Sequence, residues 1–281
     1  MSQKDSVWMQ QVGATLALLA VAGLFAYPFL WMALSSLKSN LEVFTPGQLL
    51  PQSFGLEAWS IYIDLWQGKW DLPFGRVFLN SLLVALVQAC GAVAVTAAAG
   101  FAFANYQFPG KPLWFAVALL SILVPRQVLA LPLFSWLATL GMNDQLLGVM
   151  LPGMASGIGL VFFTLVFREV PRQYLDLARL EGATEFRTFL TVLPLVSSFL
   201  LTYGMIHFIL AWHEHLLPLL VLSSPENLTL PVALAKFNDS SYHVPKALLL
   251  AASTLTALPA FVLFALLYRR FKSSLSELLV Q

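Results

Sequence analysis

Charged side chains are scarce in this chain and are separated by long uncharged stretches. Only 10% of its 281 residues are Asp, Glu, Lys or Arg, whereas about 25% is usual in a soluble globular domain. No charge occurs between Asp5 and Lys38, or between Arg76 and Lys111. A helix that crosses a membrane needs about 20 apolar residues, so these stretches predict an integral membrane protein. Soluble enzymes, nucleic-acid-binding proteins and disordered chains are thereby excluded.

The uncharged stretches predict an all-α, polytopic membrane protein with a single transmembrane domain over residues 1–281. Six transmembrane helices are expected near 13–35, 77–104, 113–138, 146–167, 191–213 and 247–268. They leave a long outer loop at 38–76 and a cytoplasmic loop at 168–190. If the N-terminus lies inside, the inner segments hold nine Lys and Arg and the outer segments five, which favours two cytoplasmic termini.

Glycine and proline mark the third and fourth predicted spans. Pro125 and Pro132 should kink the third span and Pro152 the fourth, because proline removes a backbone donor within a helix. Gly153 and Gly157 have the G-x-x-x-G spacing that lets helix backbones approach closely. Packing within one bundle is the expected use of this motif.

The outer loop contains an aromatic stretch in which Trp59, Tyr62 and Trp66 would share one helical face. Such a face is typical of an interfacial helix whose rings lie at the lipid headgroups. A landing surface for an external partner protein is the alternative.

The cytoplasmic loop is dense in charge, because residues 168–187 hold eight of the 29 charges, four of each sign. Pro171 suits the first position of a helix, Gly182 would end that helix, and Thr184 can cap a second one. An apolar face recurs at helical spacing at Tyr174, Leu177 and Ala178. A purely solvated hairpin would not need such a face, so the loop is predicted to dock a partner.

Two triplets in this loop, with a proline downstream, resemble the EAA loop of ABC-importer permeases: Asp176-Leu177-Ala178, Glu181-Gly182-Ala183 and Pro194. The family pattern is Glu-Ala-Ala, two residues, then Asp-Gly-Ala. Both carboxylates are therefore kept with their lengths exchanged, and Leu177 replaces an alanine. Other segments resemble the maltose-type carbohydrate permeases over nearly the whole chain: Asn80-Ser81, residues 101–111, residues 125–128, residues 141–144, Ala211-Trp212 and residues 229–232.

This resemblance implies the membrane-spanning pore subunit of an ATP-driven, binding-protein-dependent importer of a carbohydrate or related polyol that works by alternating access. The implied partners are a second permease chain, related but different, two ATPase subunits, an extracytoplasmic solute-binding protein, a small carbohydrate and membrane lipid. No nucleic acid, catalytic residue, metal or cofactor is expected on this chain, with ATP and Mg on the ATPase subunits. The implied location is the inner membrane of a bacterium or archaeon.

The loop residues expected to couple the chain to the ATPase are Tyr174, Asp176, Leu177, Ala178, Glu181, Gly182 and Ala183. The chain itself has no P-loop, which reads G-x-x-x-x-G-K-[ST]. Its two Gly-Lys pairs, Gly68-Lys69 and Gly110-Lys111, are followed by tryptophan and proline. ATP hydrolysis is therefore expected on a separate chain, and this subunit is expected to be non-catalytic.

Five polar residues within the predicted spans are candidates for the substrate pathway: Gln88, Arg126, Gln127, Tyr203 and His207. A charge in mid-membrane should face a cavity or a partner. Counted along straight helices, Arg126 and His207 both lie roughly 20 Å from the cytoplasmic end. The alternative is interhelical hydrogen bonding within a satisfied bundle.

His213, Glu214 and His215 suggest a metal site, but consecutive helical residues point in different directions. An outer gate or a loop contact is the favoured interpretation.

Three other functions are alternatives to the importer. An ion-coupled secondary transporter would need an acidic residue near the bilayer centre, and the predicted spans offer none. A membrane-embedded enzyme would need a motif such as G-x-S-x-G or H-E-x-x-H, and neither occurs. A permease for a non-sugar solute such as a glycerol phosphate remains an alternative.

Overall fold

The computed structural model describes residues 3–45, 47–52, 56–68, 72–238 and 244–279, and these residues are almost entirely helical, without a strand. The helices in chain order are α1 (Gln3–Ser35), α2 (Asn40–Val43), α3 (Leu56–Trp66), α4 (Phe74–Asn105), α5 (Lys111–Leu123), α6 (Arg126–Thr139), α7 (Leu146–Met154), α8 (Gly157–Arg168), α9 (Arg172–Leu180), α10 (Glu185–Val192), α11 (Ser197–Trp212), α12 (Leu216–Val221), α13 (Leu230–Asn238) and α14 (Lys246–Leu279).

The apolar stretches form the membrane-crossing helices that the sequence predicted. Within the described ranges, five segments are long and apolar enough to cross a membrane: Gln10–Ser35, Phe74–Asn105, Leu146–Arg168, Glu185–Trp212 and Lys246–Leu266. A sixth is obtained if α5 and α6 form one broken span, since they pass the same test together. The all-α, polytopic fold is confirmed.

The third span is not a single kinked helix, because α5 and α6 meet at an angle of 108°. Val124 is extended, with φ −80° and ψ 119°, as expected for a residue before proline. Pro125 is also non-helical and precedes the first residue of α6, Arg126. Arg126 therefore opens a new helix at the break and does not lie within one continuous third-span helix.

The chain forms two compact units, residues 1–71 with 234–259 and residues 72–233 with 260–281. In the first unit, the N-terminal span exposes every residue of its most apolar window. The Tyr62 and Ser36 hydroxyls lie 2.6 Å apart, and Asn40 accepts a hydrogen bond from the backbone N–H of Lys246. Helix α3 forms where the aromatic outer stretch predicted a helix.

The second unit is built around α4, which packs against α7, α8 and α11. Small residues permit this approach: a Cβ added to Gly100 would lie 2.5 Å from the Phe163 Cβ atom, and one added to Gly91 would lie 2.6 Å from Met154. At one end of α4, buried aromatic and aliphatic side chains join α4, α8, α9 and α10 in one core, among them Phe101, Phe167 and Leu175.

The G-x-x-x-G motif of the fourth span lies at a break in the helix. Helix α7 ends at Met154, and Ser156 caps α8 by accepting a hydrogen bond from the Gly159 N–H at 3.2 Å. Side chains added to Gly153 and Gly157 would collide with Gln88 and with Ala118, respectively. The motif therefore serves packing within the chain.

Candidate coupling loop and transport pathway

The coupling loop, residues 168–190, consists of two short helices joined at a glycine. Helix α9 ends next to Gly182, whose φ is +77°, a left-handed conformation that favours glycine. The Ala183 N–H closes this turn on the Ala178 carbonyl at 3.0 Å. Thr184 caps α10 by accepting a hydrogen bond from the Arg187 N–H, as its position predicted. A Cβ at Gly182 would meet no atom of the described residues within 4 Å, so within this part of the chain only the backbone conformation demands glycine here.

The coupling loop has one face on the core and one face exposed. Leu175 and Ala178 are buried, with 4% and 6% of their surface exposed. Ala178 is therefore a packing residue among the seven that the sequence singled out. Tyr174, Asp176, Leu177, Glu181 and Gly182 are exposed and Ala183 is partly buried. The outward face continues with Leu180 and Phe186, both exposed. Exposed apolar side chains on one loop suit a protein partner.

An open groove of about 410 Å³ lies beside the Gly182 turn. Its walls are Glu181, Ala183, Arg187, Leu190 and Thr191. Two of these residues belong to the set predicted from the sequence, and the others come from the following helix, α10. The groove is therefore a concave part of the exposed face, and it carries one negative and one positive side chain, Glu181 and Arg187.

A cluster that the sequence did not reveal ties the coupling loop to the end of α4. The Arg179 guanidinium lies 3.3 Å from Glu185 and 3.8 Å from Asp176. The Tyr106 hydroxyl donates a hydrogen bond to Glu185, and the Arg179 guanidinium carbon lies 6.0 Å from the centre of the Tyr106 ring. Tyr106 directly follows α4, so the cluster joins the second span to both helices of the loop.

The titration behaviour of this cluster follows from its contacts. Burial, and then the hydrogen bond to Glu185, raise the pKa of the Tyr106 hydroxyl. The hydrogen bond to Glu185 raises the pKa of Arg179. The hydroxyl therefore stays protonated and the guanidinium stays charged throughout the physiological range.

The five residues predicted for the substrate pathway fall into two groups. Gln88, Tyr203 and His207 are buried. Gln88 donates to the Val149 carbonyl at 2.9 Å, and His207 Nε2 lies 2.9 Å from the Gly153 carbonyl. These are the interhelical hydrogen bonds of the alternative interpretation. Because the helix breaks after Met154, the Gly153 carbonyl lacks its helical donor, and His207 takes that place.

Tyr203 lies beside the residues that follow the same break. Its ring stacks on Phe162 with the centroids 5.6 Å apart and meets Phe163 edge-on at 5.2 Å. A Cβ at Gly159 would collide with the Tyr203 hydroxyl. Tyr203 therefore packs against the first turn of α8.

Arg126 and Gln127 form the second group, at the exposed start of α6. The Arg126 side chain is 64% exposed and lies 3.6 Å from Glu214. The other oxygen of Glu214 accepts a hydrogen bond from the Leu216 N–H at the start of α12. Glu214 was expected to serve as an outer gate or loop contact, and the structure pairs it with the one charged residue of the third span.

A further polar clamp fixes the loop at residues 221–230. One oxygen of Asp144 accepts hydrogen bonds from the backbone N–H groups of Ser223 and Ser224 at 2.9 and 3.0 Å, and the other accepts the Ser224 hydroxyl. The Asp144 carbonyl accepts from Asn227 at 2.7 Å. The Ser224 hydroxyl and these N–H groups lower the pKa of Asp144 to about 2.

Two residues at the start of α4 form hydrogen bonds with the second half of the same loop. Asn80 donates to the carbonyls of Glu226 and Leu228 at 2.8 and 3.1 Å, and Ser81 accepts from the Leu230 N–H at 2.6 Å. Asn80-Ser81, the segment 141–144 and the segment 229–232 were separate pieces of the sequence resemblance. The structure shows that they meet at this loop.

Membrane-crossing helices that carry a braced, partly apolar loop are the architecture expected of a transporter's membrane subunit, and comparison with known proteins agrees. Residues 92–276 match the family described as binding-protein-dependent transport system inner membrane component. The chain belongs to this family, so the prediction of a permease subunit is confirmed, as is its membership of an inner-membrane transport system.

Several relatives are similar along nearly their whole length. An arabinooligosaccharides transport system permease protein of Bacillus subtilis is 29% identical, over 95% of this chain and 94% of the relative. A trehalose transport system permease protein of Mycobacterium tuberculosis is 32% identical, over 92% and 93%. An sn-glycerol-3-phosphate transport system permease protein of Pectobacterium atrosepticum is 33% identical, over 85% and 86%.

A solved structure shares the fold. A chain from the crystal structure of a bacterial ABC transporter involved in the import of the acidic polysaccharide alginate superposes with a TM-score of 0.80 at 16% identity, covering 96% of this chain and 98% of that one. Permeases of ABC importers work in general with a partner permease, an ATPase and a binding protein. This chain is accordingly a membrane permease subunit of such a transport system.

Proposed function

We propose that this chain forms half of the translocation pore of an ATP-driven importer of a carbohydrate or related polyol. The second half would be a related but different permease. Two ATPase subunits that bind ATP and Mg would sit beneath the coupling loop, and a solute-binding protein would deliver the substrate. Both termini would lie in the cytoplasm, as the excess of Lys and Arg on that side indicates.

The observation that carries this proposal is the coupling loop. Its outward face combines exposed apolar side chains with a groove and a tight glycine turn. Its inward face is buried in the core that holds α4 and α8. A partner that pulls on the outward face would therefore move two membrane spans directly, because packed cores transmit displacement.

The carbohydrate class rests on the relatives and on the chemistry of one pair. Two of the similar permeases are named for arabinooligosaccharides and trehalose, and a third for glycerol 3-phosphate. The exposed Arg126 and Gln127 offer several donors for hydroxyl oxygens. Glu214 balances the charge of Arg126 at 3.6 Å, which favours a neutral polyhydroxylated solute over an anion. Gln88, Tyr203 and His207 would shape the pathway from behind, at the α7–α8 break.

Uptake into proteoliposomes tests the proposal. The complex would be reconstituted with its binding protein outside and ATP inside, and offered trehalose, an arabino-oligosaccharide or glycerol 3-phosphate. ATP-dependent uptake of a neutral sugar is expected, without any effect of ionophores that collapse ion gradients. Uptake driven by an imposed ion gradient without ATP would establish the secondary transporter instead. Uptake of glycerol 3-phosphate alone would establish the non-sugar alternative.

A further inference from the structure

A lysine is buried at the end of the first membrane span. Only 4% of the surface of Lys38 is exposed. Its ammonium group donates a hydrogen bond to the Gln48 carbonyl, and no described acidic side chain lies within ion-pair distance of it. The nearest acid along the chain, Glu42, instead accepts a hydrogen bond from the Ser39 N–H in the capping box of α2. A lysine ammonium has three donors, so among the described residues Lys38 has unused donors and no counter-charge.

Lys38 lines a cavity of about 250 Å³ together with Tyr27, Trp31 and residues 43–45 and 47–49. Tyr27 and Trp31 are four residues apart on α1 and so share one face. Turns from Ser36 to Lys38 continue the path of the helix past Ser35, which brings Lys38 to the same side. Neither ring donates a hydrogen bond to another described residue. The residues around the cavity therefore include a hydroxyl, an indole N–H and an ammonium group, all of which seek acceptor oxygens.

The position of the cavity indicates where the acceptor comes from. The span Gln10–Ser35 ends three residues before Lys38, so the ammonium lies at the level of the headgroups. Tyr27 and Trp31 are eight and four residues before the end of the span, roughly 12 and 6 Å deeper. Trp31 is thus close to the interfacial zone that tryptophan favours, and Tyr27 lies below it. The helix that carries them exposes all of its most apolar window, so a lipid can reach the cavity along it.

We propose that this cavity binds the phosphate of a phospholipid headgroup, with Lys38 opposite the phosphate and Trp31 and Tyr27 beside the glycerol backbone. The anion supplies the charge that the buried ammonium lacks, since a buried charge is unfavourable unless it is paired. The site belongs to the first compact unit, whereas the coupling loop and Arg126 belong to the second, and it would anchor the first span to a specific lipid.

The competing explanation is that Lys38 only buries its stem and fastens the segment 47–49 through Gln48. The two explanations differ in what a lipid titration shows. The probe is dioleoylphosphatidylglycerol, added to the delipidated full chain in dodecylmaltoside together with its co-purifying subunits, and counted by native mass spectrometry. Lys38→Gln should raise the dissociation constant of the tightest-bound lipid at least about fivefold, as expected for loss of a charge-assisted hydrogen bond.

Two milder variants keep the test decisive if Lys38→Gln does not fold. Tyr27→Phe and Trp31→Phe each remove one donor from a ring that is at least partly exposed, and each should weaken lipid binding about two- to threefold. Lys246→Gln is the matched control, because Lys246 belongs to the same compact unit and donates to Asn238. It should leave lipid binding unchanged. Equal lipid binding by the parent and the three cavity variants would overturn the proposal.

Two competitors identify the chemistry. Dioleoylglycerol lacks the phosphate and should bind much more weakly than the phospholipid, and equal binding would overturn the phosphate contact. Millimolar inorganic phosphate should not displace the lipid, because Tyr27 and Trp31 on α1 can add binding energy only for a ligand that has a glycerol backbone and acyl chains. Full displacement by inorganic phosphate would assign the cavity to a free anion and overturn the lipid source.

Discussion

Tyr106, one residue beyond the end of the second span, donates a hydrogen bond to Glu185 at the start of the second helix of the coupling loop. Arg179 at the end of the first loop helix reaches the same carboxylate at 3.3 Å. The loop is therefore fastened to a membrane span by a polar contact as well as by the core beneath it.

Removal of the Tyr106 hydroxyl tests this fastening. We expect Tyr106→Phe to lower transport per ATP hydrolysed by up to about fivefold, because a net hydrogen bond contributes roughly 1 kcal/mol. Amide exchange across residues 172–187 should become faster while the amount of protein in the membrane stays the same. Tyr62→Phe is the control, since it removes a tyrosine hydroxyl that contacts Ser36 in the other compact unit, and it should leave this efficiency unchanged. Equal transport efficiency in Tyr106→Phe and the parent would mean that the core alone transmits the motion.

Substitutions at Gly182 can distinguish the effect of backbone strain from the effect of contact with a partner. A side chain at its φ of +77° is strained, by about 1–2 kcal/mol for most residues and less for asparagine. No atom of the chain would obstruct it. We expect Gly182→Asp to impair uptake strongly.

Gly182→Asn distinguishes the cause. Asparagine tolerates a positive φ about as well as aspartate, so Gly182→Asn should retain most of the uptake if the charge of aspartate is the cause, and lose it if a partner surface lies against the glycine. Gly141→Asp is the matched control, because Gly141 has a φ of +70° and equally open surroundings outside the coupling loop. Its association with the ATPase should equal that of the parent. Normal uptake by Gly182→Asp would contradict the docking role of this turn.

Asp176 is expected to contact the ATPase. Its only described ion pair is with Arg179 at 3.8 Å, and its side chain is 65% exposed. Exposed pairs of this kind contribute about 0.2–0.5 kcal/mol, whereas truncation of one partner of a buried interfacial pair costs about 2–5 kcal/mol. We predict that Asp176→Ala weakens ATPase association at least about tenfold, or 1.4 kcal/mol, in a pull-down titration.

Two variants check this assignment of Asp176. Asp176→Glu keeps the carboxylate and should keep function. Glu169→Ala removes an exposed acid at the end of α8 and should leave the association constant near that of the parent. An association constant for Asp176→Ala within about twofold of the parent, less than 0.5 kcal/mol, would make Asp176 an ordinary solvated helix residue.

The Asp144 clamp should respond to acid in a defined range. Its pKa in the folded chain is about 2, below the value of about 3.9 for an unfolded aspartate. The clamp therefore contributes stability that is fully present above about pH 4 and is lost as the pH falls toward 2. Asp144→Asn should lower the melting temperature at neutral pH and flatten its fall in acid. Asn143→Ala changes the exposed neighbouring residue and should have the melting temperature of the parent. If the melting temperature of Asp144→Asn fell in acid just as that of the parent does, the role of the clamp would be contradicted.

The pair of Arg126 and Glu214 should determine uptake without affecting assembly. Arg126→Ala is expected to impair sugar uptake while ATPase association stays intact, because the side chain is exposed and has one described ionic partner. Arg126→Lys keeps the charge but loses the planar fork and should be intermediate. Glu214→Gln should shift the preference toward anionic solutes in a competition assay. Unchanged uptake kinetics in all three variants would reduce the pair to a surface contact.

Local chemistry made several features predictable. Uncharged stretches placed the membrane-crossing segments, because hydrocarbon excludes charge and requires helices whose backbone bonds are satisfied internally. Pro125 indicated where the third span would bend. The charge density and helical spacing around Asp176 and Gly182 indicated a docking loop, and Thr184 caps its second helix as expected. Each of these signals depends on residues that are close together in the chain.

The pairings that give these residues their roles could not be derived in this way. Ser224 binds Asp144 from 80 residues away, Glu185 meets Tyr106 from 79, and His207 meets the Gly153 carbonyl from 54. The 108° angle between α5 and α6 and the pairing of Arg126 with Glu214 likewise appear only in the folded chain. Hydropathy and helical periodicity follow from the sequence itself because they are local properties, whereas hydrogen-bond partners between helices are fixed only when packing brings distant segments within a few ångströms of each other.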